Sequence, residues 1–296
     1  MRKIALQVVI LTLAAAMAVS YVAVCLAPFF SDTLKETVTP LPDSEPNQEE
    51  ESKPDNSDEA TTPNTPEEKP APPSEETTTP VPAPKTTYIR AKVSGLNLRS
   101  GPGSGYSSVG YIDKDDMVVF IDKTGSWYKT MYKNKTAYIS ASNAYTELFE
   151  MNLHDNDIVE KVIGEGLRLL GFPYVYGATR LHDGAGNLIR GFDPTEYDCS
   201  SLMQYMFYHG AGVNLNMTTR TQVKQGSYVS KADLARGDLI FFTNSQRYNK
   251  TGTERIGHVA LYLGENYILH TATDYAVIEQ ISAKRWSYYI ETRRFI

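Results

Sequence analysis

The chain has 296 residues, 41% hydrophobic and 22% charged, with a net charge of −6, which is room for one or two globular domains and further segments. Residues 31–87 concentrate fourteen acids against four lysines, so residues 88–296 are nearly neutral and offer no basic stripe for nucleic acid. Two cysteines, one of them near the N-terminus, exclude a disulfide framework.

Arg2-Lys3 precede an uncharged run from Ile4 to Ser31. A basic start and an apolar run predict export. The run exceeds the signal-peptide core of about 7–15 residues and is long enough to span a bilayer. Ala16-Met17-Ala18 offers a cleavage site, but cutting there leaves Val19 to Phe30 as an apolar terminus. Val24 precedes Cys25 where a lipoprotein signal has a small residue, which argues against lipidation. Residues 1–30 are therefore read as a signal-anchor with its N-terminus inside, a cleaved signal peptide being the alternative.

Residues 31–87 hold twelve of the sixteen prolines, with Thr, Ser and Glu and almost no large apolar residue. Such a segment cannot bury a core and is expected to be a disordered, acidic linker. As a coil it spans about 40 Å, and near polyproline extension about 180 Å.

From Tyr88 the pattern changes to short β-rich runs separated by turns: Leu96 to Arg99, Val109 to Ile112, Met117 to Ile121, Trp127 to Lys129 and Thr136 to Ser140. Five strands in about 60 residues predict a small barrel over 88–147. Leu96-Asn97-Leu98-Arg99-Ser100-Gly101-Pro102 with the later Trp127 resembles a bacterial SH3 domain, which implies a wall-binding or substrate-flanking role beside a purely structural one. Ala137 stands where that family often has Gly.

Residues 152–296 predict mixed α and β structure. Asp157-Ile158-Val159-Glu160 has the form of a capping box. Val159, Val162, Ile163, Leu167 and Leu170 then make a helical stripe ending at Gly171. Pro173 to Gly177 is extended, and a polar loop over 180–196 leads to Asp198-Cys199-Ser200-Ser201-Leu202. Leu202, Met203, Met206 and Phe207 predict a helix with Asp198 as N-cap, Cys199 in its first turn and Gly210 as its stop. The unpaired N–H groups and dipole of a helix start favour thiolate over thiol. A cysteine that merely packs is the alternative. Leu239 to Phe242 is a buried strand, and Ile256 to Gly264 with Tyr267 to His270 is a β-hairpin.

A thiol nucleophile needs a base within reach of sulfur and a group that holds the base's ring. His258 and His270 lie twelve apart around the hairpin loop, opposite or diagonal on adjacent strands, about 5–8 Å apart if they share a face. His154, His182 and His209 fall in loops or at a helix end and receive no role. Cys199 with two histidines has zinc-ligand chemistry as well, but lacks the usual paired-cysteine spacing. No metal or cofactor is expected.

As an ordered set, Pro173-Tyr174-Val175-Tyr176-Gly177-Ala178, Asp198-Cys199-Ser200-Ser201-Leu202, Arg236-Gly237-Asp238-Leu239 and His258-Val259-Ala260-Leu261-Tyr262-Leu263-Gly264 followed by His270 resemble the NlpC-type cell-wall peptidases. The resemblance covers residues 155–275. It implies an α+β, papain-like fold, with the nucleophile helix packed on an antiparallel sheet after the SH3-like barrel. It makes Cys199 the nucleophile, His258 the general base and acid, and His270 the residue that orients it. Tyr174 matches a tyrosine near the active cysteine. Asp198 and Ser200 match positions lining the substrate pocket in members that recognise a free N-terminal amine. Departures are Tyr176 for Trp, Ala178 and Ser201 for Gly, and a longer loop before Cys199.

The expected partners are peptidoglycan stem peptides and, through residues 1–30, a membrane, with the folded part outside the cytoplasm at a bacterial surface. The expected activity is a cysteine endopeptidase cutting the γ-D-glutamyl–diamino acid bond. An inactive wall-binding module and an acyl- or peptidyl-transferase on the same fold are the rivals.

Overall fold

The structure, a computed structural model, describes residues 83–272 and 274–296. The expected anchor over 1–30 and nearly all of the expected linker lie outside the described residues. Among the described residues no helix is long and apolar enough to cross a membrane.

Eight short strands come first: β1 (Lys85–Ala91), β2 (Leu96–Arg99), β3 (Ser108–Ile112), β4 (Met117–Val119), β5 (Asp122–Thr124), β6 (Trp127–Tyr132), β7 (Lys135–Ser140) and β8 (Thr146–Asn152). Strict alternation along β6 and β7 turns Tyr128, Thr130, Tyr132, Ala137 and Ile139 inward. Strands β3-β2-β7-β6-β5 form one antiparallel sheet. The sequence reading anticipated five strands here and missed β1, β5 and β8. The Lys, Thr and Glu residues of β1 and β8 hide their pattern, yet the two pair over seven residues, from Lys85↔Asn152 to Ala91↔Thr146.

The second half carries α1 (Asp157–Leu169), α2 (Cys199–Ala211), α3 (Thr219–Gln222), β9 (Ser227–Val229), β10 (Leu239–Phe242), β11 (His258–Gly264), β12 (Tyr267–Ala272), β13 (Tyr275–Gln280), α4 (Ala283–Ser287) and β14 (Tyr289–Arg294). With β1, β4 and β8 these strands make one nine-stranded antiparallel sheet in the order β8-β1-β4-β13-β12-β11-β10-β14-β9. The two halves of the chain thus share a sheet, joined where Met117 of β4 faces Ile278 of β13. Leu239, Phe241, Val259, Leu261 and Leu269 face the helices in the main core, while Ile240, Phe242, Ala260, Ile268 and Ile281 pack on the other side.

Helix α1 starts one residue earlier than the capping-box reading placed it. Asn156 is the N-cap and accepts the Ile158 N–H, while Glu160 turns away to accept the His154 N–H at 2.9 Å. Val159, Val162, Ile163 and Leu169 are buried along its inner face, with Gly166 between them. Helix α2 has Asp198 as N-cap, as its sequence pattern indicates, but it runs past Gly210 to Ala211 and ends on Gly212 in the left-handed region. Gly210 has another use: a Cβ there would run into the Val162 backbone of α1, so its absence sets the helix–helix approach.

Two buried charged groups lie between the halves. The Arg236 guanidinium binds Glu160 through Nε (2.6 Å) and Nη2 (2.8 Å), the Leu263 carbonyl through Nη1 (2.7 Å), and the Tyr88 hydroxyl of β1 through Nη2 (3.2 Å). Asp116, just before β4, is 9% exposed and accepts the Asp113 N–H at 2.9 Å. Burial, with the nearby Glu279, Asp113 and Asp115 charges adding to it, pushes its pKa up to about 7. A raised carboxyl pKa contributes stability below its unfolded value of 3.8 and loses that contribution as the pH climbs to about 7. Asp116→Asn should therefore gain on wild type as the pH rises from 4 to 8, reaching roughly 1–3 kcal/mol at the upper end. Thermal melts at the two pH values check this, and an equal shift at both would rule out a buried ionisation as the cause.

Candidate active site

Cys199 opens α2 because Asp198 caps it. The Asp198 Oδ1 accepts the N–H groups of Ser200 (3.0 Å) and Ser201 (2.8 Å), and Ser201 Oγ accepts the Asp198 N–H (2.9 Å), closing a reciprocal box. The sulfur sits at the floor of a cleft of about 820 Å³ whose walls include Tyr174, Asp198, Ser200 and His258. The N–H groups of Val259 and Ser200 point at it.

The helix start does not make Cys199 a thiolate. Burial first, and the Asp198 carboxylate second, push its pKa up to about 12, outweighing those two N–H groups and Arg180. The resting group is a thiol. It therefore needs a base at the moment of reaction.

His258 begins β11, and Val259, whose N–H meets the sulfur, is the next residue. The hairpin turns through Glu265 and Asn266, both with positive φ (50° and 65°), so its loop is of the primed type that matches strand twist. The register Leu261↔Leu269 sets His258 and His270 diagonally on one face. Their rings meet edge to face, with His258 Nε2 and His270 Nδ1 at 2.8 Å. Burial, His270 and Arg285 hold His258 well below the ordinary imidazole range, so it is neutral and able to accept a proton. No hydrogen bond joins the sulfur to the His258 ring.

The structure thus brings Cys199, His258, Tyr174, Asp198 and Ser200 to one cleft wall and places His270 behind His258, 1% exposed. Burial, with Cys199 and Asp198 nearby, pushes the Tyr174 hydroxyl up to about 12.

Three participants escaped the sequence reading. Arg180, in the loop before α2, puts Nη2 2.8 Å from Asp198 Oδ2 and 3.0 Å from Ser200 Oγ. Its Nε donates to the Met217 carbonyl (2.6 Å) and its Nη1 to the Ala178 carbonyl. Glu279 of β13 lies 3.1 Å from His270 Nε2 without completing a hydrogen bond to it, and Arg285 of α4 donates to the same oxygen at 2.8 Å. The only signal of Glu279 in the sequence is an acid inside an otherwise apolar β alternation. Among the described residues no group of three or more His, Cys, Asp or Glu side chains is placed to hold a metal ion.

Residues 171–294 match the NlpC/P60 family and residues 94–145 the bacterial SH3 domain. The chain is 28% identical over 138 residues to the peptidoglycan endopeptidase RipA of Mycolicibacterium smegmatis, an alignment covering 47% of this chain and 26% of that protein. It is also 28% identical over 148 residues to a gamma-D-glutamyl-L-lysine dipeptidyl-peptidase of Bacillus cereus, covering 48% and 39%. A crystal structure of an NLP/P60-family protein, similar to lipoprotein, from Staphylococcus aureus is 32% identical with a TM-score of 0.38, covering 48% of this chain and 43% of that one. The chain spans a quarter to a half of the length of the curated relatives that head these matches.

Proposed function

Since residues 171–294 match the NlpC/P60 family and residues 94–145 ahead of them a bacterial SH3 domain, we propose that this chain is a cysteine endopeptidase of peptidoglycan, cutting the stem peptide between γ-D-glutamate and the diamino acid. The observation that carries this reading is that the Cys199 thiol and the neutral His258 ring line one cleft, with His270 hydrogen-bonded behind His258.

Because His258 Nε2 is engaged by His270, its Nδ1 is the nitrogen left for the substrate side. In the reaction Nδ1 takes the thiol proton as sulfur attacks the scissile carbonyl, and the Cys199 N–H at the helix start supplies an oxyanion donor. The same ring then protonates the leaving amine, and water releases the acyl group from sulfur.

The cleft walls suit an acidic peptide. They carry Arg180, Arg220, Arg247, Lys284 and Arg285; the four arginines are shared with Asp198, Glu254 and Glu279, and Lys284 has no such acid partner among the described residues. Tyr174, Asp198 and Ser200 form the wall beside the sulfur and contact the residue N-terminal to the cut. Asp198 is already saturated by Gly177, Ser200, Ser201 and Arg180, so it has no capacity left for a substrate ammonium. This favours stem peptides whose N-terminus is still joined to glycan. The SH3 domain then flanks the substrate from the joined end of the sheet, outside the cytoplasm.

The test is incubation of the full chain with muropeptides carrying lysine or diaminopimelate, each with a free or a glycan-linked N-terminus, read by mass spectrometry. New termini after γ-D-glutamate, formed faster from the glycan-linked form, are expected. New amide products would mean transfer instead of hydrolysis, and the absence of any product from soluble or cross-linked material would leave a binding module.

A further inference from the structure

Two neutral imidazoles joined by one hydrogen bond have two possible proton arrangements. In the first, His258 carries its proton on Nε2 and donates to His270 Nδ1. Its own Nδ1 is then bare toward Cys199, and His270 carries its proton on Nε2. In the second, His270 Nδ1 donates to His258 Nε2, so His258 Nδ1 is protonated and useless as a base, and His270 Nε2 is bare. Both satisfy the 2.8 Å contact equally. What separates them lies on the far side of His270.

There, 3.1 Å from Nε2, stands Glu279 Oε1, itself bound by Arg285 at 2.8 Å. We propose that Glu279 is a positioning residue that sets the proton arrangement of both histidines, and through them leaves His258 Nδ1 free as the base for Cys199. A carboxylate opposite a protonated Nε2 is attracted, whereas opposite a bare Nε2 it meets a lone pair. In a site where both rings are buried this contrast is weakly screened. Glu279 stays ionised for the purpose: His270 and Arg285 outweigh its burial and hold its carboxyl at about 2. The charged and titratable groups facing this chain are Cys199 from α2, His258 from β11, Arg285 from α4 and Asp116 before β4. Of these only Arg285 contacts Glu279, so it is what anchors the carboxylate in place. The role matches that of the acid behind a triad histidine, displaced by one ring.

The proposal rests on Cys199 and His258 acting as nucleophile and base, so one readout is independent of substrate. Long-range 1H–15N spectra of the full chain carrying Cys199→Ala report which nitrogen of each ring is protonated. With Glu279 present, both rings are expected as the Nε2–H form. Glu279→Met and Glu279→Leu fill the same space without a carboxylate, so one remains informative if the other fails to fold. In either, the preference is expected to be lost, so that forms with the proton on His270 Nδ1 and on His258 Nδ1 become populated. Glu279→Gln keeps an acceptor oxygen and should keep the wild-type arrangement.

In the active protein, misplacing the proton directly at a triad histidine costs about 10⁴-fold in kcat, and one ring further away about 100-fold is expected. KM should stay within about twofold, alkylation of Cys199 by iodoacetamide should slow in parallel, and Gln should recover to within about tenfold of wild type. Nε2–H rings in the Met or Leu variants would overturn the proposal, as would equal losses in Gln, Met and Leu. If the spectra and alkylation behave as stated while wild type cuts no γ-D-glutamyl bond, the assignment of Glu279 stands and the substrate reading falls.

Discussion

Cys199→Ala is expected to lose at least about 10⁴-fold in kcat on any stem peptide that wild type cleaves, because the acyl group then has no sulfur to rest on. Burial and the adjacent Asp198 carboxylate keep the sulfur protonated, so His258→Ala should lose nearly as much, and the double variant little more than either single one. The pH profile carries the same logic. His258 titrates well below 6.5, held there by burial, His270 and Arg285, so kcat/KM should stay level on acidification past pH 6.5 and fall only further down. Initial rates of hydrolysis across that range decide it. A limb centred at an ordinary histidine value would mean that the base is exposed. Cys199→Ala activity within tenfold of wild type would remove sulfur from the mechanism altogether.

Arg236→Ala is the largest expected stability effect. The guanidinium is 7% exposed and bridges α1, the end of β11 and Tyr88 of β1. Truncation leaves Glu160 with an uncompensated charge, the Leu263 carbonyl without its donor, and a void against Met151. Breaking one partner out of a buried pair costs about 3–5 kcal/mol. Urea unfolding should show a midpoint lowered accordingly. Arg236→Met combined with Glu160→Gln should recover much of the loss, because it removes both charges and keeps the volume. A loss below about 1 kcal/mol in the single variant would mean that water already solvates the pair.

What could be read from the chain in advance was local. Asp198 followed by Ser200, Ser201 and a helical apolar pattern identifies a capped helix with Cys199 in its first turn, since a cap needs only neighbouring residues. The hairpin around Gly264 sets His258 against His270 through turn geometry and strand period alone. Arg180 and Glu279 were illegible because each acts across the tertiary structure: Arg180 reaches over a loop to Asp198, and Glu279 depends on the β12–β13 register. The ionisation of Cys199 was misjudged for the same reason. The helix start is local, whereas the burial that outweighs it comes from the whole fold. Gly210 resembled a stop because glycine ends helices, and it was instead the clearance that α1 needs.

The seam between β4 and β13 has a consequence for how the protein can be divided. β13 is the outermost strand that the second half of the chain contributes on that side, and β4 and β1 are what cap it. Cutting the chain near residue 152 would uncover β13 at Ile278, while its start stays paired through Gly171, Phe172 and Pro173, leaving a short open edge for another copy. A piece that begins after residue 152 is therefore expected to self-associate more readily than one that begins at β1.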